Sequence, residues 1–82
     1  MKRNPDLLDK IIIAMVDSPK YTLATNDIAK LLPSEQIKTV TYHLHLLMDM
    51  GHIALLGPDY RVTSAGQDHY DKVTNGYAWS SK

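Results

Sequence analysis

Apolar residues recur at helical spacing over most of this chain. They switch to alternation only in one short stretch. Leu7, Leu8, Ile11, Ile12, Met15 and Val16 are spaced by one, three and four. That pattern is a broad helical stripe and predicts a first helix from about Pro5 to Asp17. Asn4 suits its N-cap and Pro5 its first turn, where a missing N–H costs nothing. Ser18-Pro19 ends it. Tyr21 to Ala24 reads as a short extended segment. Thr25 or Asn26 is the expected cap of a second, short helix with Ile28, Leu31 and Leu32 inward. Pro33 stops that helix, and Ser34 is the expected cap of a third. On the third, Ile37, Val40, Leu44, Leu47 and Met48 share a face, and Gly51 suits the position just past its end. From His52 to Leu56 the apolar residues alternate, Gly57-Pro58-Asp59 turns, and Tyr60 to Val62 returns. This is the pattern of a β-hairpin. Thr63 is the expected cap of a last helix, about Ser64 to Val73, with Tyr70 and Val73 inward and Gly66 placed for close packing. Thr74 to Lys82 reads as a tail, polar apart from Tyr77 and Trp79.

The expected architecture is therefore α+β and mainly α. It is one domain over residues 1–82, with a core over 1–73 and a tail over 74–82. A short helix, a tight break, a longer helix and then a hairpin is the order of a winged helix-turn-helix. In that reading a three-helix core carries a hairpin wing and a C-terminal helix.

The same stretches resemble an uncharacterised bacterial and prophage winged-helix family. Met1-Lys2-Arg3-Asn4-Pro5-Asp6-Leu7-Leu8 is similar to its Met-Lys-Arg-Asp opening and the apolar helix that follows. Tyr42-His43-Leu44-His45-Leu46-Leu47 resembles its Tyr-His-Leu-x-Leu-Leu, and Gly51-His52-Ile53 its Gly-Leu-Ile. Arg61-Val62-Thr63-Ser64-Ala65-Gly66 resembles its Arg-Leu-Thr-x-x-Gly, and the tail with Trp79 its Trp-Asn-Lys ending. The chain departs from the pattern at Asn4-Pro5, at His52 and at Ser80. The resemblance implies a small regulatory or accessory protein, often phage-borne, and no particular activity.

Composition narrows the chemistry. At 82 residues, 44% hydrophobic and 22% charged, the chain has room for one core. It has no cysteine, which excludes disulfides, thiolate ligands and a cysteine nucleophile. No apolar run approaches a membrane span and the opening is no signal peptide, so the expected location is the cytoplasm. Three histidines lie close together at His43, His45 and His52. Residues two apart on a helix point about 200° from each other, so His43 and His45 cannot share an ion. No metal and no cofactor is expected. Ser64, Asp68 and His69 are residue types for nucleophilic work, but no Gly-x-Ser-x-Gly elbow frames them. With no phosphate loop either, an enzyme is not expected.

The favoured partner is double-stranded DNA, bound by a small transcription regulator. Gln36, Lys38, Thr39, Thr41, Tyr42 and His45 line the third helix away from its apolar face. These types suit bases and phosphates, with Arg61 on the wing for a phosphate. Charge opposes this reading. The net charge is zero, and Asn26 to Met50 sets Lys30 and Lys38 against Asp27, Glu35 and Asp49, a formal −1. DNA binders generally carry a basic footprint. The alternative is a protein-interaction module that binds a host or phage protein. Self-association is expected in either case, with Tyr77 and Trp79 packing on Leu7, Leu8 and Ile11 of the same chain or of a second subunit.

Overall fold

The computed structural model describes the backbone of residues 1–80 and the side chains of residues 1–74. It is a small, mainly helical α+β fold. The helices are α1 (Pro5–Asp17), α2 (Thr25–Leu31), α3 (Ile37–Asp49) and α4 (Ser64–Ser80). Between α3 and α4 runs an antiparallel hairpin of β1 (Ile53–Leu56) and β2 (Asp59–Val62). No helix among the described residues is long and apolar enough to cross a membrane.

α1 begins where its capping chemistry places it. The Asn4 carboxamide oxygen accepts the N–H of Asp6 at 3.1 Å and of Leu7 at 3.3 Å. This satisfies two of the free donors of the first turn. Its stripe, Leu7, Leu8, Ile11, Ile12 and Met15, is buried. Those five join Leu23, Ile28, Val40, Leu44, Leu47, Ile53 and Tyr60 in one core drawn from α1, the segment before α2, α2, α3 and the hairpin.

α2 starts one residue earlier than its side chains suggest. Its N-cap is Ala24, not Thr25 or Asn26. The Asp27 carboxylate reaches back to accept the Ala24 N–H at 3.1 Å, so a third-position acid does the work of a capping hydroxyl. Ile28 is fully buried and Leu32 packs on the core, but Leu31 is 46% exposed. A two-turn helix offers one inward position per turn, and Leu31 falls beside it.

α3 starts later than the Ser34 cap implies. Residues 32–35 form a turn closed by Glu35 N–H to Leu32 C=O at 3.0 Å, and Gln36 is the N-cap. Val40, Leu44 and Leu47 are buried, and Met48 packs partly on the core. Ile37, on the same face, is 49% exposed because the stripe outruns the core by one turn. Gly51, with φ 77°, turns the chain out of α3.

The hairpin pairs Ile53 with Val62, Ala54 with Arg61, Leu55 with Tyr60 and Leu56 with Asp59. Gly57, at φ 64°, supplies the positive φ that a two-residue loop needs at its first position. His52 lies just outside β1, but its backbone is fixed. Its N–H donates to Leu47 C=O at 2.9 Å, and its C=O accepts Thr63 N–H at 3.0 Å. On the far side, Tyr60 and Leu23 exchange backbone hydrogen bonds of 2.8 and 2.9 Å. The extended Tyr21–Ala24 segment thus contributes one bridging residue.

The Thr63 hydroxyl caps α4, accepting Gly66 N–H at 3.1 Å. The helix then runs to Ser80, past its expected end near Val73. Polarity is not a stop signal: residues 74–80 contain no proline, and Gly76 is their weakest helix former. The side chains of Tyr77 and Trp79 lie outside the described residues. Their expected partners Leu7, Leu8 and Ile11 are enclosed in the core, at 2%, 6% and 0% exposure.

Candidate nucleic-acid interface

α3 divides into an apolar side and an outward side. Lys38 and His45 are exposed on the outward side, with Thr41 and Tyr42 half-exposed between them. Gln36 is exposed at the N-cap. Lys38, Thr41, Tyr42 and His45 share one side of the helix, and Gln36 sits at its N-terminal end. The other two candidates stand apart from them. Thr39 is half-buried, and its C=O accepts from the His43 ring. Arg61 is half-buried on β2, which packs chiefly against α1 and α4, whereas α3 packs on β1. The Thr41 hydroxyl donates to Ile37 C=O at 2.8 Å, which leaves it only as an acceptor for a ligand.

The buried centre of the helix is His43, 1% exposed. Its Nδ1–H donates to Thr39 C=O at 2.8 Å, and its Nε2 accepts the backbone N–H of Asn4 at 3.0 Å. Both partners have fixed roles, so the ring is neutral with its proton on Nδ1. Tyr42 packs against it edge-on, with ring centroids 5.2 Å apart. The bond to Asn4 docks the start of the chain on α3, directly after exposed Lys2 and Arg3. Helical periodicity places His43 next to the apolar face, but a tie across 39 residues has no local signal in sequence.

A second cluster forms where α1, α4 and the hairpin base meet. His69 Nε2–H donates to the Asp9 carboxylate at 2.7 Å. The His52 ring stacks on His69 with centroids 4.9 Å apart and planes 25° from parallel. Nδ1 of His52 is buried with no hydrogen-bond partner. Burial lowers the His52 pKa from 6.5, and the neighbouring His69 lowers it further, while Asp9 raises it. The pairing of His69 with Asp9 removes it from the Ser64–Asp68 grouping seen in sequence. Among the described residues no group of three or more histidines and carboxylates is placed to hold a metal ion.

Compared with protein-family models, with curated proteins and with solved structures, the chain matches none.

Proposed function

We propose that this chain is a small cytoplasmic DNA-binding regulator of winged helix-turn-helix type, related to the bacterial and prophage family it resembles. In this reading α2 and α3 form the helix-turn-helix and the β1–β2 hairpin is the wing. The carrying observation is the outward strip of α3. Gln36, Lys38, Thr41, Tyr42 and His45 keep polar groups outside the core on the helix that would enter a major groove. The tie from His43 to Asn4 supports it further. It brings Lys2 and Arg3 to the flank of α3, where they add positive charge that the α2–α3 segment lacks.

Fluorescence anisotropy on a nonspecific duplex at several salt concentrations tests the reading. Binding should weaken steeply with salt. Replacing Lys38 and Arg61 together by Ala should lower the salt slope by roughly one to two units. Absence of binding at low salt sinks the proposal. An unchanged slope removes these two residues from the interface.

One observation favours a second reading, a module that docks on a protein. Leu55 and Leu56 at the hairpin end are 55% and 49% exposed, where a DNA-contacting wing is better served by cations. A protein that shows no duplex binding but keeps this apolar end would belong to that class.

A further inference from the structure

We propose that the free edge of β1 pairs antiparallel with β1 of a second copy of this chain. The pairing is centred on Ala54 and makes one four-stranded sheet from two hairpins.

The backbone geometry identifies the edge. Tyr60 exchanges both of its backbone hydrogen bonds with Leu23, so its N–H and C=O point away from β1. Opposite residues of an antiparallel pair either exchange bonds or both point outward. Leu55, the partner of Tyr60, therefore directs its own N–H and C=O away from β2. The bond from Thr63 N–H to His52 C=O fixes the same alternation at the strand's other end, which turns Ile53 outward as well. Leu23 already covers the outer edge of β2, so β1 carries the hairpin's open edge.

A second copy fits this edge better than an unrelated strand for three reasons. Exposed edges are normally protected by a lysine, a proline or a bulge. Ile53-Ala54-Leu55-Leu56 contains neither lysine nor proline, and its register with β2 is regular. The chain has no net charge, so two copies meet without long-range repulsion. The edge is also self-complementary about Ala54. A two-fold axis there sets Ile53 against Leu55 of the other copy, twice, and both pairs exchange hydrogen bonds. The small Ala54 side chains face each other on the axis. Each half-exposed Leu55 then lies beside the other copy's Ile53 on the face turned to the core. This inference stands whether or not the chain binds DNA.

The absence of native cysteine makes the register directly measurable. Ala54→Cys should form a disulfide-linked dimer under mild oxidation much faster than Lys72→Cys, at an exposed α4 position. In sedimentation, the unmodified protein should move from monomer toward dimer mass as its concentration rises. Leu55→Lys should hold it at monomer mass and remove the concentration dependence of its melting temperature. The proposal is overturned if the protein stays monomeric throughout and Ala54→Cys links no faster than Lys72→Cys. A dimer that Leu55→Lys leaves intact overturns it equally. If Leu55→Lys does not fold, the crosslinking comparison alone decides.

Discussion

Leu44 and Gly66 show how single residues hold this fold. Leu44 sits mid-stripe on α3 and is completely buried. Truncating it leaves a cavity in a core of a dozen side chains. Leu44→Ala should cost about 2–5 kcal/mol in urea unfolding. A loss below about 0.5 kcal/mol would mean that the core collapses onto the gap. Gly66 sets two effects against each other. In a helix, Ala is ordinarily better than Gly by about 1 kcal/mol. Here a Cβ would lie 2.0 Å from the backbone oxygen of His52 and 2.8 Å from a Val62 methyl. A backbone carbonyl held by Thr63 N–H cannot swing aside as a side chain can. Overlap should win, so Gly66→Ala should lower stability by about 1–3 kcal/mol rather than raise it. A raised melting temperature would refute this packing. Its place on the last helix marked Gly66 as a close-approach position, but only tertiary structure shows that it approaches a strand-entry carbonyl and not a helix.

Among the elements, α4 depends on polar contacts with α1 and the hairpin base. The His69–Asp9 bond and the bond from Tyr70 Oη to Asp17 at 2.6 Å both join α4 to α1. The Tyr70 bond raises the phenol's pKa above 10, because Asp17 accepts from the protonated form and repels the phenolate. The folded state therefore holds that proton more tightly than the unfolded chain. Its contribution to stability is present below pH 10 and is lost as pH rises through the folded value. In a spectrophotometric titration Asp17→Asn should bring the Tyr70 ionisation earlier. His52 acts in the opposite direction. Its folded pKa lies below 6.5, so the unfolded chain takes up this proton first as pH falls. Its share of stability is complete above pH 6.5 and declines from there through the folded value. A proton on buried Nδ1 would find no acceptor, and the new charge would lie against His69, with Asp9 offsetting part of the repulsion. Melting temperature should fall as pH drops below 6.5, and His52→Gln should flatten that fall. An equal slope in the variant would assign the effect to other groups. Helix and hairpin periods were legible in the sequence because each depends on neighbours a few residues away. The ends of α2, α3 and α4 were not. Asp27 caps from inside its helix, Ser34 sits in a turn, and the polar run after Val73 continues helical.

At the scale of the whole molecule, the core reads easily and the surface does not. Every buried apolar residue of α1 belongs to the stripe visible in sequence, because burial needs only period and hydrophobicity. The candidate interface depends on which polar groups remain available after folding, and that is set by contacts distant in the chain. The Thr41 hydroxyl is bonded to a backbone carbonyl, Thr39 is half-buried, Arg61 sits on β2, and His43 turns inward to Asn4. The Asn4–His43 bond also gives the molecule a reporter of its own opening. An amide ahead of the first helical turn normally exchanges with solvent almost freely. This one is hydrogen-bonded to a ring on α3, and α1 must part from α3 to release it. Its protection against deuterium should therefore track the separation of those two helices, well above that of its neighbours Lys2 and Arg3. In His43→Phe that protection should vanish while the amides within α1 keep theirs. One resonance would then distinguish fraying of the chain start from undocking of α3.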